Sequence, residues 1–184
     1  MSAQIFLIAP ADAEPAEFVT TLTGILARSE VPALLLPRGE RPEKAYKDFV
    51  KAVLPGAQAA GCAVLIEGEP GLVRTLRADG LHVTAGAKAV SEAIGVLKPD
   101  LIVGAGDIHS RDDAMTQGEL GVDYILFGPL SGSISPAGRE MARWWAQTME
   151  VPSVFSDPEA DAASYDAEGC EFIGLGAKRL ETLP

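Results

Sequence analysis

The segment Gly121-Val122-Asp123-Tyr124-Ile125-Leu126-Phe127-Gly128-Pro129 decides the fold class of this chain. Its centre, Tyr124–Phe127, is apolar at every position, whereas a strand with one solvated face alternates apolar and polar residues. A short continuous apolar run is typical of a strand that is buried on both faces, as in a parallel sheet. Gly121 precedes the run and Gly128-Pro129 follows it, so residues that favour turns bound it on both sides.

Similar short runs recur along the chain, and segments with helical spacing separate them. Phe18, Leu22 and Ile25, for example, predict one apolar helix face after Pro15. Counting eight strand-plus-helix units, the last with a short helix at Ala177–Leu183, we predict a compact (β/α)₈ TIM barrel that forms a single domain over residues 1–184. An open doubly wound sheet of about five or six strands is the alternative. The other runs are Ile5–Ile8, Ala33–Leu36, Ala63–Ile66, Gly80–Val83, Leu101–Val103, Ser153–Phe155 and Phe172–Leu175.

The net charge of the chain limits the classes of molecule that we expect it to bind. The 184 residues include 15 Lys and Arg against 26 Asp and Glu, so the formal net charge is −11. Nucleic acids and anionic membranes require a basic face, so we expect this chain to bind neither. No apolar stretch approaches the roughly 18 residues of a membrane span, and Cys62 and Cys170 cannot form a disulfide framework. We therefore expect a cytoplasmic protein, and no motif indicates a metal or a cofactor.

In a parallel barrel the functional residues collect directly after the strands, at their carboxyl ends. The loop Gly128–Ser135 follows the sixth run and contains small residues and hydroxyls, which allow close approach of the backbone to an anion. Gly174–Arg179 lies at the end of the last run, where barrels often bind a phosphate. Both loops are also compatible with a purely structural role as tight turns.

Three segments in register resemble the strand signatures of the thiamine phosphate synthase family. They are Ala78-Asp79-Gly80-Leu81-His82-Val83, Gly104-Ala105-Gly106-Asp107-Ile108-His109-Ser110 and the opening segment, residues 121–129. Their order and spacing are similar to those of the family over about residues 60–135. The resemblance implies a small (β/α)₈ barrel and a role in thiamine biosynthesis.

The chain departs from the family where the synthase reaction needs charge. After the second strand Arg38 is present but the family's Lys is not, and Glu67-Gly68 stands in place of an Asn-Asp pair. Thr84–Ala87 has no carboxylate where the family has a metal-binding Asp, and Ser133–Pro136 keeps two hydroxyls but lacks a Lys. Displacement of diphosphate needs Mg²⁺ and cations. We therefore expect weak synthase activity or none.

A second branch of the family resembles this barrel and does different chemistry. Thiazole tautomerases of the TenI type use a His after the fifth strand to move a proton, and His109 stands at the matching position, with one shifted residue before it. Imidazole is suited to this task because it exchanges protons near neutral pH. His82 lies within a strand run, and we interpret it as an interior residue.

The candidate site therefore combines one catalytic residue with a set of binding residues for a phosphorylated small molecule. Two functions stay open: an enzyme of the synthase or tautomerase type, and a non-catalytic binding or regulatory descendant of the family. The stripe of Trp144 and Trp145 leaves open whether the chain forms a homo-oligomer. The catalytic candidate is His109, and the phosphate- and substrate-binding candidates are Arg38, Glu67, Gly128, Ser131, Ser133, Ser135, Ser156, Gly174 and Gly176.

Overall fold

Eight parallel strands form a closed barrel in the computed structural model, which describes residues 2–181. Each strand pairs with its neighbours in chain order, and the last strand pairs with the first, so the predicted TIM barrel is confirmed and the open sheet is excluded. The strands are β1 (Gln4–Ile8), β2 (Ala33–Leu36), β3 (Ala63–Ile66), β4 (Gly80–Val83), β5 (Ile102–Ala105), β6 (Tyr124–Phe127), β7 (Ser153–Ser156) and β8 (Phe172–Gly176).

Helices follow every strand except β7 within residues 2–181, so the expectation of eight complete units is wrong at one position. Residues 157–171 connect β7 to β8 without a helix. None of the described helices is long and apolar enough to cross a membrane. Of the expected last helix, Ala177–Leu183, residues 182 and 183 lie outside the described residues. The helices are α1 (Pro15–Leu26), α2 (Glu43–Ala59), α3 (Pro70–Leu76), α4 (Ala87–Leu97), α5 (Arg111–Glu119), α6 (Pro136–Thr148) and α7 (Ala177–Glu181).

Helix α6 shows how local sequence fixes the outer layer. The Ser135 hydroxyl accepts a hydrogen bond from the Gly138 N–H at 3.0 Å and so caps the first turn. Trp145 is buried against Phe127 of the barrel, and its indole N–H donates to the Val151 carbonyl at 2.9 Å. The neighbouring Trp144 is half-buried beneath the guanidinium of Arg111, so only one of the two tryptophans belongs to the core.

The barrel interior is filled by a separate cluster of inward-facing side chains. Tyr124 is the central member, and its ring occupies the space beside Gly104 of β5, where a Cβ atom would lie 1.9 Å from the ring. Only glycine at position 104 therefore leaves room for this ring, because barrel interiors are packed without voids. The buried members of the cluster are Phe6, Ile8, Leu35, Leu65, Tyr124, Leu126 and Val154.

Glu168 holds the irregular β7–β8 connection against α6. Its carboxylate accepts hydrogen bonds from Arg139 at 2.6 Å and from Arg143 at 2.7 Å, and its side chain is only 8% exposed. The Arg139 guanidinium also lies over the Phe155 ring, 4.7 Å from its centroid. A charged, hydrogen-bonded clamp thus fixes a segment that has no helical hydrogen bonds of its own.

We expect the Glu168→Gln variant to be less stable than the native chain at neutral pH and to lose part of the acid dependence of that stability. Arg143 and Arg139 hold the pKa of Glu168 below its ordinary value of 4.5. The ion pairs therefore stabilise the folded state fully above that value, and this contribution is lost as the pH falls through the lowered pKa. Urea unfolding from about pH 7 down to about pH 3 measures both effects.

Glu119→Gln is the matched control, because it neutralises an exposed carboxyl at the end of α5. Its stability should follow the native chain over the same pH range. An equal loss of stability in the two variants would show that the clamp contributes nothing specific to the connection.

Candidate functional site

His82 forms the floor of the mouth at the carboxyl end of the barrel, and Tyr124 of the interior cluster supports it. His82 Nδ1 lies 2.8 Å from the Tyr124 hydroxyl, and the two rings stack with 5.8 Å between their centroids. His82 is 2% exposed, and burial lowers its pKa to about 4, so the ring is neutral at neutral pH. Its Nε2 has no hydrogen-bond partner and lies against Gly106, where a Cβ atom would be 2.5 Å away.

Glu67 stands above this floor, directly after β3. Its carboxylate accepts a hydrogen bond from the Arg38 backbone N–H at 2.9 Å. Its own N–H donates to the Tyr46 hydroxyl at 2.9 Å, and that hydroxyl donates to the Leu36 carbonyl at 2.5 Å. Burial raises the pKa of Glu67, and the hydrogen bond from Arg38 offsets part of that rise. The side chain is thus a half-buried carboxyl that the backbone N–H after β2 holds in place.

A cavity of about 230 Å³ lies at the centre of the mouth. A neighbouring cavity of about 420 Å³ shares Glu67, His82 and Thr84 with it and extends between the loops after β2, β3 and β4. Arg38 lines this second cavity, so the structure brings the two sequence candidates Arg38 and Glu67 together. The residues around the central cavity are Glu67, His82, Thr84, Asp107, Leu126, Gly128, Pro129 and Leu130.

A third cavity, of about 360 Å³, opens between the loops after β1, β6 and β8. Ser131 and Gly176 line it, so these two candidates from the sequence also lie together. Lys178 and Arg179 line the same cavity, and Glu159 is the carboxylate among its lining residues. Lys178 was not among the candidates, although it lies in the segment 174–179 that the sequence singled out.

His109 lines a fourth cavity, of about 410 Å³, beside the loop after β6. Its side chain is 76% exposed, and Nε2 lies 3.3 Å from the Asp107 carboxylate. Asp107 has a φ of +55°, a backbone conformation that few residues other than glycine adopt, and it also lines the central cavity. Gly128, Ser133 and Ser135 line the His109 cavity as well.

Two further candidates, Ser156 and Gly174, line none of these cavities and support the loops instead. Ser156 is fully buried, and its hydroxyl donates to the Pro129 carbonyl at 2.5 Å. Gly174 packs against Ser156, where a Cβ atom would lie 3.0 Å from the serine Cα. The Ser133 hydroxyl donates to Glu159 at 3.4 Å, and Ser135 caps α6 as described above. The structure therefore divides the predicted site residues among four cavities and a buried support.

These observations define a class: a (β/α)₈ barrel with cavities of small-molecule size at the carboxyl ends of its strands. The chain belongs to the thiamine monophosphate synthase family, because the sequence model of that family matches residues 5–156. The resemblance carried by the three strand signatures is confirmed.

Proteins with similar sequences are named thiamine-phosphate synthases. The chain is 33% identical to the thiamine-phosphate synthase of Rhodospirillum centenum in an alignment of 156 residues that covers 82% of this chain and 75% of that protein. It is 32% identical to the thiamine-phosphate synthase of Hyphomonas neptunium, over 95% of this chain and 84% of that one. The thiamine phosphate pyrophosphorylase structure from Pyrococcus furiosus covers 97% of this chain and 88% of its own with a TM-score of 0.78. Because the two sequences are only 16% identical, this comparison shows a similar fold alone.

We expect Gly104→Ala to lower the free energy of unfolding by about 1–3 kcal/mol, because the added methyl group overpacks the Tyr124 ring. Urea unfolding measures this loss. The chain has two histidines, so NMR can follow the ring signals of His82 and should show that they shift as Tyr124 moves.

Gly95→Ala in α4 is the control, because a Cβ atom there meets nothing within 4 Å. We expect this variant to be more stable than the native chain by about 0.5–1 kcal/mol, the usual gain in a helix. Native stability and unshifted His82 signals in Gly104→Ala would contradict the packing of the floor.

Proposed function

We propose that the chain binds a phosphate-bearing small molecule at the barrel mouth, with the phosphate in the cavity lined by Ser131, Gly176 and Lys178. The observation that carries the proposal is the distribution of charge. Of the mouth cavities described above, this is the one in which cationic side chains, Lys178 and Arg179, outnumber carboxylates. In a chain with a net charge of −11, an anion needs such a local excess of positive charge.

Small residues support this assignment. Gly132 lines the cavity with a φ of +79°, and Ser131 adds a hydroxyl beside it. A Cβ atom on Gly176 would lie 2.8 Å from the Pro158 carbonyl oxygen, so the close approach of these two loops requires glycine. Backbone N–H groups and a hydroxyl can then act with the Lys178 ammonium, which binds phosphate as a point charge.

The residues at the mouth do not fit the Mg²⁺ and diphosphate that the synthase reaction requires. Thr84–Ala87 after β4 offers one hydroxyl and no carboxylate. Gly68, at the position of the family's Asp, has a φ of +121°, which a residue with a side chain would adopt only under strain. Within residues 2–181 no three His, Cys, Asp or Glu side chains converge as a metal site. We therefore propose that synthase chemistry is weak in this chain or lost.

His109 is the residue that we propose for proton transfer. Gly128 and Pro129 line both its cavity and the central one, and Leu130 lines both the central cavity and the phosphate cavity. One ligand can therefore extend from Lys178 past the centre of the mouth toward His109. The Asp107 carboxylate lies 3.3 Å from Nε2 of the His109 imidazole.

Non-catalytic binding is the second candidate function. The exposure of His109 favours it, because a residue that is 76% in solvent receives little orientation from its surroundings. The two candidate functions share the phosphate site. They differ only in whether His109 transfers a proton to or from the bound ligand.

We expect inorganic phosphate and thiazole phosphate to raise the melting temperature at millimolar concentration, because a ligand of the folded state stabilises it by mass action. Lys178→Ala should weaken the binding of both by about tenfold, since a charged hydrogen bond contributes about 1.5–3 kcal/mol. Calorimetric titration measures the affinities.

Lys51→Ala removes an exposed cation in the middle of α2 that lines none of the mouth cavities described above, and it controls for the change in net charge. Its affinity should equal that of the native chain. Equal affinities for all three proteins, or no stabilisation by either ligand, would refute the phosphate site.

We expect Mg²⁺-dependent formation of thiamine phosphate from pyrimidine diphosphate and thiazole phosphate to be at least about 10²-fold slower than in a synthase with the full set of charged groups. One missing group of this kind costs about 10²–10³ in rate. Product formation is followed by fluorescence after oxidation, and rapid Mg²⁺-dependent turnover would overturn this expectation.

The same substrates separate the two candidate functions. In an assay of proton transfer on thiazole phosphate carboxylate, His109→Asn should abolish turnover and leave the affinity for thiazole phosphate unchanged. Turnover that survives in His109→Asn excludes this histidine as the residue that transfers the proton. An absence of turnover in the native chain supports the non-catalytic binding function.

A further inference from the structure

The phosphate cavity, which Ser131, Gly176 and Lys178 line, also contains a carboxylate. Glu159 is among its lining residues together with Lys178 and Arg179, so the chain itself cancels part of the positive charge that favours an anion there. Glu159 belongs to the β7–β8 connection, the segment that stands where a helix was expected. The chain therefore places a negative charge of its own in the wall of the site that we assign to phosphate.

We propose that Glu159 is a specificity-determining residue of this cavity: its carboxylate lowers the affinity for every anion, and most strongly for anions of high charge. The Coulomb repulsion between a fixed carboxylate and a bound ligand grows in proportion to the charge of the ligand. This inference rests on the proposed function, because it concerns the same cavity. It adds a residue that repels anions, whereas the residues named above attract them.

Backbone hydrogen bonds hold the segment that carries Glu159 against the end of β8. The Asp157 N–H donates to the Gly174 carbonyl at 3.0 Å, and the Gly176 N–H donates to the Pro158 carbonyl at 3.0 Å. Pro158 and Gly176 both line the cavity. Because these two bonds come directly before Glu159 in the chain, the backbone fixes the position of this residue beside the cavity.

The side chain of Glu159 reaches the loop after β6, which forms another wall of the cavity. The Ser133 hydroxyl donates a hydrogen bond to Glu159 Oε2 at 3.4 Å. Ser131 and Gly132 of the same loop line the cavity. The carboxylate therefore connects two walls of the cavity. Ser133 and Glu159 are both exposed, so this long hydrogen bond can open when a ligand enters.

The small number of charges in the cavity makes the contribution of Glu159 measurable. The lining residues include two cations and one carboxylate, so Glu159→Gln raises their formal charge from +1 to +2. The chain as a whole has a net charge of −11, so the local cations supply the attraction for an anion. Solvent screens a charge in an exposed position, and we therefore expect a change of a few-fold in affinity.

The test titrates the native chain and Glu159→Gln with inorganic phosphate and with pyrophosphate, at low ionic strength and without Mg²⁺. Glu159→Gln should bind phosphate at least about threefold more tightly, because one repulsive charge is removed from a solvated site. The gain for pyrophosphate should be at least about sixfold, because pyrophosphate carries more negative charge. Salt at about 0.5 M should reduce both gains. Calorimetry measures the four affinities.

Two variants separate the charge of Glu159 from other effects. Glu119→Gln makes the same change in net charge on α5 and lines none of the mouth cavities, so its affinities should equal those of the native chain. Ser133→Ala removes the hydrogen bond to Glu159 and keeps the carboxylate, so it should not reproduce the gain. The melting temperature of each variant without ligand verifies that it folds.

The outcomes distinguish this inference from the proposed function. If the native chain and Glu159→Gln bind phosphate equally, and Lys178→Ala weakens both, the phosphate site stands and the inference alone fails. Equal gains for the two anions would also overturn it, because an effect of charge must increase with the charge of the ligand. If only Glu159→Gln binds phosphate, and the added Lys178→Ala abolishes that binding, the inference holds and the proposed function of the native chain fails. No binding of either anion by either protein refutes both.

Discussion

The pairing of β8 with β1 is the constraint on which the rest of the structure depends. It extends over five residue pairs, from Gln4 and Phe172 to Ile8 and Gly176, and it closes the sheet. Closure brings the loop after β8 beside those after β1 and β6, so Lys178 and Ser131 come to line one cavity although 47 positions separate them in the sequence.

Closure of the barrel also limits which side chains fit in its interior. A barrel of eight short strands leaves space for few large side chains, and Tyr124 occupies it only because Gly104 faces its ring. The hydroxyl of Tyr124 then holds His82, and His82 forms the floor on which the central cavity rests. Packing below the mouth thus determines the polar group that the mouth presents, and the stability of the barrel and the shape of the site depend on the same contacts.

Membership of the family fixes the fold of this chain more firmly than its chemistry. The barrel and its strand signatures are shared, but function depends on the side chains at the strand ends. At the centre of this mouth stands the Glu67 carboxylate, and Gly68 beside it has a φ of +121°, a conformation that favours glycine. The mouth thus combines carboxylates at its centre with Lys178 and Arg179 in the cavity beside it.

The sequence by itself determined the strands, the barrel and the face on which the site lies. Continuous apolar runs mark strands buried on both faces, and residues that follow parallel strands must share one end of a barrel. Only the tertiary structure decided which of these residues meet. Ser156 and Gly174 are buried, and His109 and Lys178 line different cavities. Between β7 and β8 the described chain has no helix, and Glu168 holds the connection that stands in its place. It also showed that His82 is both an interior residue and part of the site. The reason is geometric. The position of a residue along its strand determines its position along the barrel axis, and the sequence gives this directly. Which side chains from other strands lie beside it depends on how all eight strands pack.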